Sequence, residues 1–160
     1  MPARATGAPD IETKAGYLAR FAPFVIWPPG VFASASTPLV VCVQGDDPFG
    51  GALDRAAAGQ TVGVHPLVVR RVPRLGPGSD CQIAYLAGSK VQSPAAALRA
   101  VDGEPVLTVT DWDGPGGEVG IVHLVHVDGR VRFVIDAGRA GRSGLAISSK
   151  LLALAAQVRK

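Results

Sequence analysis

Short apolar runs, rich in β-branched residues and separated by turn or helix signals, constrain this chain more than any other feature. They are "PLVVCVQGDD" (38–47), "VHPLVVRRV" (64–72), "CQIAYLAG" (81–88) and "EPVLTVTD" (104–111). Each has strand length, and the continuous apolar character of the first is that of a strand covered on both faces. Between them lie helix signals: Asp47 and Pro48 as N-cap and first position of a helix through about Ala58, and "SPAAALRAV" opened by Ser93 and Pro94. Upstream, Tyr17, Leu18, Phe21, Phe24 and Val25 recur at helical spacing from Ile11 to Val25, with Asp10 placed to cap the start and "WPPG" to stop it. Downstream, "WDGPGGE" reads as a loop, and "VGIVHLVHVDGRVRFVIDA" splits into a hairpin at Asp128-Gly129. The final "SSKLLALAAQVRK" reads as an amphipathic helix capped by Ser148 or Ser149.

That order predicts an α/β layered domain with a mixed, mostly parallel sheet, Rossmann-like, with helices on both faces and an antiparallel hairpin near the C-terminus. A chain of 160 residues supports one core. We place a flexible segment at 1–9 and a single domain at 10–160.

The net charge of +3 raises nucleic-acid binding, but the basic residues are scattered. Only Arg70, Arg71 and Arg74 cluster, and no aromatic side chains interleave with them as stacking platforms. We therefore expect no nucleic-acid partner. No apolar run approaches the roughly 20 residues of a membrane span, so direct membrane insertion is not expected. The opening "MPARATGAPD" lacks the regions of a secretory leader, which taken literally gives a cytoplasmic protein and, for a chain whose leader has been removed, says nothing of its compartment.

The stretch "VVCVQGDDPFGG" (40–51) carries the sharpest local question. A glycine-rich strand-to-helix corner can cradle phosphate, but Asp46 and Asp47 stand where the anion would sit, and neither the P-loop lysine nor the dinucleotide glycine pattern is present. An acidic crevice for a metal or an amine is the alternative. Asp46, Asp47, Asp111 and Asp113 fall at predicted C-terminal strand ends, where open α/β sheets bind ligands, and Phe49 adds an aromatic wall. The same aspartates also suit helix capping and turn closure, which need no ligand. His123 and His126 are three apart on a strand and so lie on opposite faces, unable to share one metal. Ser143 lacks the hydrolase-elbow spacing, and Cys42 has no base visible in the sequence. No catalytic residues, metal site or cofactor are assigned.

Together, "YLARFAPFVIWP", "PLVVCVQGDDPFGGALD", "PVLTVTDWDGPGGEVGIVHLVHVDGRVRFVID" and "RSGLAISSKLLALA" resemble the YfiR/HmsC-like family of small bacterial periplasmic proteins, over about residues 11 to 158. The resemblance implies export, with the leader absent from this sequence, and a non-enzymatic role. It implies inhibition of a membrane-anchored diguanylate cyclase through its periplasmic domain, lowering cyclic di-GMP and biofilm formation, and a homodimer. It also implies a bridge between Cys42 and Cys81, which match the family's inter-strand cysteines. The second cysteine pair of some relatives is missing here, and Asp136 replaces a common asparagine.

For the partner contact, the candidates are Phe24 and Trp27, where the first helix breaks, with a Trp27 packed on the sheet edge as the competing reading, and Trp112, flanked by Asp111, Asp113 and glycines. Large aromatics dominate interface hot spots. A small-ligand sensor or carrier that takes a cation or amine in the crevice is the competing expectation.

Overall fold

The computed structural model describes residues 8–111 and 117–160. The chain forms α1 (Ala8–Phe21), a 3-10 turn (Ala22–Phe24), β1 (Val25–Ile26), β2 (Leu39–Gly45), α2 (Ala52–Ala57), β3 (Thr61–Val62), β4 (His65–Val72) and β5 (Ile83–Gly88). It continues with α3 (Pro94–Ala100), β6 (Leu107–Thr110), β7 (Val122–Val127), β8 (Arg130–Asp136), α4 (Ala137–Arg142), β9 (Ala146–Ile147), α5 (Ser149–Leu154) and β10 (Gln157–Arg159).

An eight-stranded sheet runs β10-β8-β7-β6-β5-β2-β4-β3. The pairs from β4 through β2, β5 and β6 to β7 are parallel, as is β8 with β10, while β7–β8 and β3–β4 are antiparallel. The fold is thus α/β with a mixed, mostly parallel sheet, as the order of apolar runs predicts. A separate antiparallel ribbon joins β1 to β9.

Strand periodicity splits the core into two layers. Val41 and Val43 of β2, with Ile83 and Tyr85 of β5, join the cluster that holds Leu18 and Phe21 of α1 and Leu53 of α2. Their neighbours Cys42, Ala84 and Leu86 join the other cluster, with Ala97 and Leu98 of α3. Because successive strand side chains point to opposite faces, a run apolar at every position needs helices on both sides, and this chain supplies them.

The local signals acted as expected at two corners. Ser93 Oγ accepts from the Ala96 N–H at 3.1 Å and starts α3. Asp128 and Gly129 both take positive φ, 52° and 77°, as the two-residue hairpin turn requires.

Three expectations are corrected. Asp10 lies inside the first turn of α1 instead of capping it, and its carboxylate meets His126 Nε2 at 3.1 Å. Asp47 does not cap α2, which begins after Gly51; its Oδ1 accepts from the Phe49 N–H at 2.8 Å and closes a turn. The C-terminal helix ends at Leu154, where the Ala156 N–H donates to the Phe133 carbonyl at 2.8 Å and the chain continues as β10 beside β8. An unpaired strand edge offers backbone partners that a surface helix cannot, and tertiary pairing overrides the helical pattern.

At the end of β2 the backbone of Gly45 passes against that of Gly88 at the end of β5. A Cβ on Gly45 would stand 2.3 Å from the Gly88 carbonyl oxygen, and its φ is +88°. Gly45→Ala is therefore expected to lower the unfolding free energy by about 2 kcal/mol, from left-handed strain and overpacking together. A urea midpoint equal to the parent's would contradict this close approach.

Candidate functional site

The strand-end aspartates are placed by β2 and β6, which flank β5. Asp111 follows β6 directly, and its Oδ2 makes two contacts at 2.7 Å, one to Lys14 Nζ and one from the Tyr85 hydroxyl. The Lys14 side chain is 4% exposed and that of Asp111 11%. Lys14 arrives there because it shares the buried face of α1 with Leu18 and Phe21, at helical spacings of four and seven. Tyr85 rises from the middle of β5, and the Phe49 ring packs edge-on against it with centroids 4.8 Å apart.

Asp47 is held by a different cation. Arg71 Nε reaches Asp47 Oδ2 at 3.1 Å, its Nη1 and Nη2 donate to the Asp54 carboxylate at 2.9 and 2.8 Å, and Nη2 also reaches the Gly50 carbonyl at 2.8 Å. One guanidinium thereby fastens both ends of the segment from Asp47 to Asp54 onto β4, a task suited to its planar fork of donors. The same hydrogen bonds hold the Asp54 carboxyl below its ordinary range.

The crevice thus brings Asp47, Phe49 and Asp111 around Tyr85, with Lys14 and Arg71 already neutralising the two carboxylates. Asp46 stands apart: its N–H donates to the Gly88 carbonyl at 3.0 Å, and it lines an open hollow of about 380 Å³ with Lys90 and Val91. Asp113 and Trp112 lie outside the described residues. Among the described residues, no group of three or more His, Cys, Asp or Glu is placed to hold a metal. The corner around Asp46 and Asp47 is a clamped strand-to-helix connection.

Lys14 and Tyr85 are the members of this network that the motif reading missed. A lysine on the apolar stripe of α1 was the available signal for one. Tyr85, inside an apolar strand, gave none.

Burial, reinforced by the nearby Asp111 carboxylate, pushes the Tyr85 phenol far above its ordinary value. The folded state keeps this proton more tightly than the unfolded chain. Its contribution is therefore complete below about pH 10 and is lost as pH rises toward the folded value. Tyr85→Phe should cost about 1.5–3 kcal/mol at neutral pH through the lost charged hydrogen bond, and should flatten the decline in stability above about pH 10. Urea midpoints taken from pH 8 to 11 that fall in parallel for variant and parent would exclude this role.

Three further buried amides stitch loops to the sheet. Gln44 Nε2 donates to the Gln92 carbonyl at 3.1 Å while its Oε1 accepts from the Gly88 N–H at 3.0 Å, and Gln92 Oε1 and Nε2 meet the N–H and carbonyl of Leu75 at 2.8 and 2.9 Å. Gln82 Oε1 accepts from the Val40 N–H at 2.7 Å.

Trp27 does not present an exposed aromatic surface. It is 7% exposed, and its indole N–H donates to the Gln82 carbonyl at 3.1 Å, which makes it a core residue of the β1 corner. Phe24 is half-buried beside a hollow of about 340 Å³ between α1 and α2.

Cys42 of β2 is bridged to Cys81, just ahead of β5, with Cα atoms 5.8 Å apart. Arg70, the partner of Cys42 on β4, lays its guanidinium over the bridge, 4.0 and 3.8 Å from the two sulfurs, and also donates to the Ser79 carbonyl. Among the described residues, no helix is long and apolar enough to cross a membrane.

Fold and site together define a disulfide-pinned α/β domain in which the strand-end carboxylates of Asp47 and Asp111 are tied to its own cations. The chain belongs to the YfiR/HmsC-like family, whose sequence profile matches residues 11–156. A search of the curated proteins finds no match.

Proposed function

We propose that this chain is a non-enzymatic periplasmic regulator that binds the periplasmic domain of a membrane-anchored diguanylate cyclase and holds it inactive, lowering cyclic di-GMP and biofilm formation. The observation that carries this reading is family membership across residues 11–156. The Cys42–Cys81 bridge supports the compartment, since such bonds persist where the surroundings are oxidising. The internal pairing of Asp47 and Asp111 supports action through the surface, because an external cation would have to displace Arg71 or Lys14. Within this proposal the working form is a homodimer, and Phe24 and Trp112 stay as contact candidates while Trp27 does not.

Co-expression with a membrane diguanylate cyclase from the same genome tests the reading. Cellular cyclic di-GMP should fall only when the chain carries an export leader. Unchanged levels, with both proteins present and folded in the periplasm, would refute it.

A further inference from the structure

Among the described residues, the outer edge of β8 is only half covered. β10 pairs with Val134, Ile135 and Asp136, and the Ala156 N–H closes onto the Phe133 carbonyl. Among the described residues, Arg130 to Arg132 have no strand partner on that side. An open hollow of about 680 Å³ follows this edge, walled by the two arginines, by Asp128 of the turn beside them, and by Tyr17, Val127 and Leu154. Val127 is 40% exposed and Leu154 60%.

Arg130 and Arg132 alternate on β8 and so project from the same face. Among the described residues no carboxylate pairs with either, and Arg132 donates only to the Leu154 carbonyl, at 3.2 Å. The Tyr17 hydroxyl donates to the Val131 carbonyl at 2.7 Å, a single side-chain cap that a backbone N–H can replace.

We infer that this half-open edge receives an extended, acidic segment of a partner protein, which adds a short strand beside β8, sets its carboxylates against Arg130 and Arg132, and rests apolar side chains on Val127 and Leu154. Strand edges recruit strands, with backbone bonds giving affinity and alternate side chains giving specificity. An anionic lipid headgroup would satisfy the arginines but leave the backbone edge unpaired, whereas an extended peptide answers both. The identity of the partner rests on the proposed function; the chemistry of the groove does not.

The probe is a fluorescein-labelled hexapeptide alternating Glu and Val, with a Lys-Val counterpart, titrated against the whole chain by anisotropy. The acidic peptide should bind and the basic one should not. Arg130→Glu with Arg132→Glu should weaken binding at least about tenfold, the scale of a lost pair of charge-assisted contacts. Val127→Asp, which leaves both arginines in place, should weaken it as well, and thermal melts check that each variant is folded.

Equal binding of both peptides, equal binding by the variants, or no binding would overturn the inference. So would capture of phosphatidylglycerol vesicles with the peptide ignored. In the co-expression assay, a parent that lowers cyclic di-GMP and a double-arginine variant that lowers it equally would also overturn it. A parent that has no effect there, while the peptide shows the expected arginine dependence, would refute the proposed function and leave the groove standing.

Discussion

Lys14→Met is expected to lower the unfolding free energy by about 3–5 kcal/mol, the usual cost of leaving one member of a buried ion pair without its partner. Methionine fills the space of the lysine stem, so little of that loss comes from a cavity. It comes from Asp111, which among the described residues keeps only the Tyr85 hydroxyl while 11% exposed. Replacing both charges, Lys14→Met with Asp111→Leu, should recover only part of the loss: buried pairs exchanged for apolar side chains of similar volume are often neutral or stabilising, but the buried Tyr85 hydroxyl then loses its acceptor. Urea unfolding of the parent, both single variants and the double variant closes the cycle. A Lys14→Met variant within about 1 kcal/mol of the parent would show that water reaches Asp111 and screens it, since pairs exposed to solvent contribute about that much.

Removing the bridge is the second large effect. Cys42→Ala with Cys81→Ala should cost about 4 kcal/mol under non-reducing conditions, as the chain-entropy account gives for a closed loop spanning a sequence separation of 39. Alanine at both positions avoids burying a new hydroxyl beside the fully enclosed Cys42. With a thiol reductant present, parent and variant should converge. Overlapping curves in oxidising buffer would mean that the bridge does not restrain the unfolded chain.

The strands and their faces were legible because continuous apolar runs bounded by turn residues leave few alternatives. Ser93 with Pro94, and Asp128 with Gly129, were equally legible, since each acts through its own backbone. Asp10 and Asp47 misled for the complementary reason. An aspartate beside a helix start reads as a cap, yet His126 and Arg71, brought in from distant strands, set what these carboxylates do. The last segment misled through its amphipathic spacing, which does not reveal a vacant strand edge waiting at Phe133. Trp27 could be read as surface or core from sequence, and the Gln82 carbonyl decided it. Of the expected crevice, Asp47, Phe49 and Asp111 meet around Tyr85 while Asp46 stands apart; the balance of charge was not legible, because a lysine within an apolar stripe and a tyrosine within an apolar strand look like packing until their tips meet the same aspartate.

The placement of β2 also bears on how the protein matures. This interior strand finds its partners at Leu67 and Ile83, far along the chain, while the β7–β8 hairpin pairs residues close in sequence. Distant parallel pairing is slow to nucleate, so the hairpin has time to form while β2 is still searching. Cys42, fully buried once the sheet is built, is open to an oxidant during that search. The bridge therefore forms most readily before β5 docks beside β2, and a chain that closes first must open its sheet again to be oxidised.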